Sequence, residues 1–143
     1  MPTVERTITV ARPVQLVWDY LTDFTRTEEW DPPTVSTART SGDGGVGTTY
    51  HNVSKMVGRE VEVDYEVTRF EPHRVFELVG EANGVTVTDT ITFESGQETT
   101  TVTYHSEFAP HGAAKLANPL IAGAIEVLGS RVSSSLEERL LAL

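Results

Sequence analysis

The strongest constraint on this chain's fold lies in its last quarter, His111 to Leu143, which reads as one long helix behind a short lead-in. Ile121, Ile125, Leu128, Val132, Leu136, Leu140 and Leu143 step by three or four residues and line one stripe, while Glu126, Ser130, Ser133 and Glu137 take the opposite side. Such a helix has to bury one face. No other segment offers a comparable helix, whereas strand patterns abound, so the expected partner is a curved sheet. Small residues at the margin of the stripe, Ala124, Gly129 and Ser135, leave space rather than fill it. A kink is expected at Asn118-Pro119, because a residue before proline avoids helical geometry and Asn is a good N-cap.

The strand patterns occupy the middle of the chain. Thr3 to Val10 alternates loosely and runs into Pro13, which suits the first position of a helix carrying Val14, Val17, Trp18, Leu21 and Phe24. A second short helical piece, Thr27 to Trp30, is stopped by Pro32-Pro33. From Val35 to Pro110 the period is two. Strands are expected near residues 34 to 40, from Val46 to Met56, from Arg59 to Phe70, from Val75 to Gly80, from Val85 to Phe93 and from Thr99 to Phe108. The turns between them carry the glycine cluster Gly42 to Gly47, Gly58, Glu71-Pro72-His73, Asn83-Gly84 and Ser95-Gly96. Val61, Val63, Tyr65 and Val67 should face a core, with Glu60, Glu62, Asp64 and Glu66 in water. Short turns between consecutive strands imply an antiparallel meander.

Several phrases carry a family resemblance: Ala11-Arg12-Pro13 leading to Val17-Trp18-Asp19 and Asp23-Phe24, then Glu29-Trp30-Asp31, Gly45-Val46-Gly47-Thr48, and Phe70-Glu71-Pro72 before a new strand. With the order of elements they resemble the helix-grip fold of the START-like, or SRPBCC, superfamily, in its polyketide cyclase/dehydratase branch. The resemblance implies one α+β domain over residues 1–143, a seven-stranded antiparallel sheet wrapped around a long C-terminal helix, with two short helices between strands 1 and 2. It further implies a hydrophobic cavity that in various members binds lipids, steroids or polyketides. Some members cyclise or dehydrate a polyketide, and others carry or sense a ligand or bind another protein. No catalytic motif of the family transfers residue by residue onto this chain.

Composition narrows the partners. Asp and Glu outnumber Lys and Arg by 21 to 11, a formal charge of -10 that repels nucleic-acid phosphates and anionic lipid surfaces. No apolar run approaches the roughly 20 residues of a membrane span, and the N-terminus lacks a secretory pattern, so the expectation is a cytoplasmic protein without membrane insertion. Zero cysteines remove disulfides, thiolate metal sites and cysteine nucleophiles together. A monomer or a homodimer through the strand edge near residues 34 to 40 fits equally.

Gly42 to Gly47 spells GxGxxG, yet a strand rather than a helix follows it, which argues against a dinucleotide site. His51, His73, His105 and His111 lack metal-ligand spacing, and alternation turns His51 and His105 outward, so no metal or other cofactor is expected. Asn52-Val53-Ser54 is a chance glycosylation triplet. Polar residues on inward strand faces say more, since burying one unpaired costs on the order of 1–3 kcal/mol. They are Tyr50, Asn52, Tyr65, Asp89, Tyr104 and Ser106. Asp89 interrupts the apolar set Val87 and Ile91, and desolvation would lift its pKa toward neutrality, which makes it the candidate acid or base beside Tyr104 or Tyr65. The alternative for Asp89 is a structural pair with an arginine or a backbone N–H. Trp30, Ala124 and Leu128 complete the expected lining. The leading expectation is a binder of a small hydrophobic molecule, the rival a polyketide cyclase or dehydratase, and the third a protein-interaction module.

Overall fold

The computed structural model describes residues 3–56, 58–82, 84–111 and 132–143. Seven strands, β1 (Thr3–Val10), β2 (Thr34–Ser41), β3 (Thr49–Met56), β4 (Arg59–Glu71), β5 (Val75–Ala82), β6 (Val85–Ser95) and β7 (Thr100–Pro110), form one antiparallel curved sheet in the order β1-β7-β6-β5-β4-β3-β2. Each strand from β2 to β7 pairs with its neighbour in sequence, as short turns require. β1 pairs with β7 instead and closes the far edge.

The alternation in β4 is realised: Val63, Tyr65 and Val67 are buried while Glu60, Glu62, Asp64 and Glu66 are exposed. β6 runs in unbroken register against both β5 and β7, which keeps Val87, Asp89, Ile91 and Phe93 on the inner face. β3 starts at Thr49, later than the expected Val46. Gly42, Gly44 and Gly47 adopt positive φ, so the chain loops until the Gly47 N–H reaches the Val67 carbonyl at 2.9 Å, and Val46 stays exposed at the loop tip.

Between β1 and β2 lie α1 (Val14–Leu21), a 3-10 turn (Phe24–Arg26) and α2 (Thr27–Trp30). Pro13 sits at the N-cap of α1 rather than its first helical position; its carbonyl accepts the first helical bond, from Val17 N at 3.2 Å. α1 buries Val17, Trp18, Tyr20 and Leu21. Trp18 meets Phe70, Phe76 and Phe93 edge-on at 5.2, 6.5 and 4.9 Å, so the helix wedges against β4, β5 and β6.

Residues 132–141 are helical and are called α3. The described part of the apolar stripe behaves as expected, with Val132, Leu136 and Leu140 buried in the core and Leu143 packed against it. The chain's end is clasped from both sides. The Arg12 guanidinium donates to the carbonyls of Leu143, at 3.1 Å, and Leu141, and Arg139 Nε donates to the Glu29 carbonyl at 3.1 Å. Cations at a helix C-terminus complement its unpaired carbonyls.

Candidate functional site

The inner face of the sheet is apolar over Val63, Val67, Phe76, Leu78, Val87, Ile91 and Val102, and is interrupted by a knot of polar groups. Asp89 on β6 stands opposite Ser106 on β7, whose hydroxyl donates to its carboxylate. The hydroxyls of Tyr65 on β4 and Tyr104 on β7 lie near enough to the same carboxylate to pull its pKa down. Asp89 is 3% exposed, and burial, the dominant influence, pushes its pKa up to about 6 against the Ser106, Tyr65 and Tyr104 hydroxyls, which pull it down. Both phenols are raised well above their ordinary value, by burial first and then by the nearby Asp89 charge. They therefore stay protonated, and can donate hydrogen bonds, across the neutral range.

A second carboxyl joins from the other side. Asp31 follows α2, and part of the residue reaches solvent, yet its carboxyl is enclosed enough that burial lifts its pKa to about 7. The Thr34 hydroxyl, donating at 2.6 Å, opposes the rise, and the charge on Asp89 adds to it. Asp31 and Asp89 are thus two desolvated carboxyls, each raised toward the neutral range chiefly by burial.

Behind Asp31 runs a chain of buried hydroxyls and one amide. Asn52 Nδ2 donates to Thr37 Oγ1 at 2.8 Å and to Thr34 Oγ1 at 3.3 Å, and its Oδ1 accepts from Ser54 at 2.6 Å. Thr37 and Thr27 share a hydroxyl bond of 2.7 Å, and Thr27 donates on to the Phe24 carbonyl. This ties α2, β2 and β3 together beneath the site. Asn52→Leu strips the Ser54 hydroxyl of its acceptor and takes one bond each from Thr34 and Thr37, and is expected to cost about 1–3 kcal/mol in urea unfolding. A loss below about 0.5 kcal/mol would show that the amide is dispensable.

Trp30 is 1% exposed and packs edge-on against Tyr104 at 5.8 Å, and its indole N–H has no partner among the described residues. Carboxyl pair, phenols and indole thus converge on one patch of an apolar face. A model of proteins described as polyketide cyclase / dehydrase and lipid transport matches residues 1–140. The chain belongs to that family.

Solved structures similar to this chain share its fold. The Zhui aromatase/cyclase from Streptomyces sp. R1128 superposes with a TM-score of 0.82 at 18% identity, over 96% of this chain and 92% of that one. TTHA0849 from Thermus thermophilus gives 0.81 at 18%, over 99% and 98%. A START superfamily protein from Mycobacterium smegmatis gives 0.77 at 12%, over 96% and 95%. No curated protein sequence matches the chain.

Of the residues singled out from sequence, the structure gathers Trp30, Tyr65, Asp89, Tyr104 and Ser106, with Asn52 one step removed through Thr34 and Asp31. Tyr50 stands directly opposite Tyr65, on β3, and so on the side of it away from Asp89. Its ring packs on Phe24 at 5.5 Å and lines a separate cleft of ≈740 Å3 with Asp19, Asp23, Arg39, Asp43 and Phe70. Ala124, Leu128 and the Asn118-Pro119 kink lie outside the described residues. His51 and His105 do face outward, on Asp64 and Glu62 and on Glu5. Sequence reasoning missed Asp31. A carboxylate between a tryptophan and Pro32, with Thr34 three residues on, was the signal available.

Proposed function

We propose that the protein binds a small, mostly apolar molecule between the inner face of the sheet and the C-terminal helix, with an oxygen-bearing end of the ligand against Asp89, Tyr65, Tyr104 and Asp31. The observation that carries this reading is a buried carboxylate that accepts from Ser106, with the Tyr65 and Tyr104 hydroxyls close by, on an otherwise apolar face. A few convergent polar groups in an apolar lining are what fix the orientation of a ligand whose affinity comes from burial. Trp30, whose indole N–H is unpaired among the described residues, offers one more donor to a ligand carbonyl.

A polyketide cyclase or dehydratase is the second reading, and the pKa of Asp89 favours it. At about 6, Asp89 is ionised at neutral pH yet remains a stronger base than an ordinary carboxylate. It would take a proton from carbon beside a ligand carbonyl, while a phenol donates to the developing oxyanion. Native mass spectrometry of the purified protein tests the first reading and should show a retained apolar molecule. No adduct, together with no thermal shift across lipids and aromatic polyketides, defeats it. Asp89→Asn then separates the two: a carrier keeps its ligand with affinity changed by less than about tenfold, whereas an enzyme loses turnover by about 100-fold or more.

A further inference from the structure

Tyr65 and Gly80 stand opposite each other on β4 and β5, and Asp89 lies on β6 across from Leu78. To touch Asp89, the tyrosine must reach over an entire strand, since neighbouring strands are about 4.8 Å apart. What lies under its path is bare backbone. A Cβ placed on Gly80 would stand 2.8 Å from both Cδ1 and Cε1 of Tyr65 and 2.7 Å from Val63 Cγ1, closer than side chains tolerate. Gly80 is buried and its φ lies outside the left-handed region, so the need for glycine here is one of space and not of backbone freedom. The ring lies across the glycine, toward the strand that carries Asp89, whose charge its hydroxyl feels.

We propose that Gly80 is a positioning residue, whose missing side chain opens the lane through which Tyr65 crosses β5 and delivers its hydroxyl to Asp89. This rests on reading the Asp89 cluster as the working end of a ligand site, and it adds that the donor from β4 is set by a residue that touches no ligand. A methyl group at position 80 tilts the ring off the strand. Val63 can rotate its methyl away, but the planar phenol has no such escape.

The test uses the ligand-free protein, so that it stands or falls apart from ligand identity. Carbon-13 NMR titration of the Asp89 carboxyl is run on the parent, Gly80→Ala, Tyr65→Phe and the double variant. Losing the phenol's bond removes a group that favours the carboxylate, so the midpoint should move up in each single variant and no further in the double. A Gly80→Ala protein that titrates like the parent overturns the proposal, as does an unshifted Tyr65→Phe. Should Gly80→Ala fold poorly, Gly80→Ala with Tyr65→Leu relieves the collision and is expected to recover the lost melting temperature. Failure to recover it would place the collision elsewhere and overturn the proposal as well.

Discussion

Phe76→Ala is expected to lower the free energy of unfolding by about 3–5 kcal/mol, the cost of deleting a large ring from a packed interior. Phe76 is fully buried on β5, where three other aromatic rings converge on it: Trp18 from α1 at 6.5 Å, Phe24 from the 3-10 turn at 6.4 Å and Phe70 from β4 at 6.1 Å. Its loss therefore detaches the helical wedge from the sheet as well as opening a void. A domain of this class holds roughly 5–15 kcal/mol in all, so the variant should melt many degrees lower and show a reduced urea midpoint at unchanged slope. A loss under about 1 kcal/mol would mean that the surrounding rings collapse into the space, and the wedge would not depend on Phe76.

Stability should fall as pH rises from about 4 to about 7, the reverse of the usual acid denaturation of carboxylate-rich proteins. Asp89 and Asp31 have folded-state pKa values of about 6 and about 7, against 3.8 as the ordinary value. The folded state keeps their protons longer than the unfolded chain does, so their contribution is complete below about pH 4 and is lost as pH rises through the folded values. The two shifts together are worth on the order of several kcal/mol, less their mutual coupling. His51 acts in the same direction, its pKa raised by hydrogen bonds to Asp64 and Glu62. Asp89→Asn removes a buried charge while keeping its shape, and should flatten the decline and exceed the parent in stability at about pH 8. Urea midpoints measured across that range decide the matter. A parent whose stability climbs from pH 5 to pH 8, or an Asp89→Asn variant with the same slope, would refute the buried carboxyl pair.

How much of this was legible in the sequence depended on whether a residue's role was local. Tyr65 and Val67 declare their face because Glu66 between them is charged, and Asp89 declares itself by breaking an apolar series. Val132, Leu136 and Leu140 were readable from spacing alone. Asp31 was not, because its position over the sheet depends on how the chain turns after α2, and its carboxyl is desolvated by elements distant in sequence. Gly80 was hidden for a related reason. A glycine inside a strand reads as a bulge or an end, and only the ring of Tyr65 lying on it reveals the need for room. The start of β3 was misplaced because Val46 has strand propensity, whereas the glycines around it hold the loop open.

The pairing of β1 with β7 also governs how the molecule is made. β1 is synthesised before the other strands of this sheet, yet its partner, residues 100–110, is synthesised after every other one. Until then Thr3–Val10 has no neighbour, and the meander grows from β2 toward β7 with its inner face uncovered. Contacts this distant along the chain slow folding. The nascent protein thus passes through a stage in which an apolar sheet face and a free strand edge coexist, the combination most prone to aggregation. Trigger-type chaperones that shield apolar surface during synthesis should raise its soluble yield more than they raise that of a helical protein of equal length.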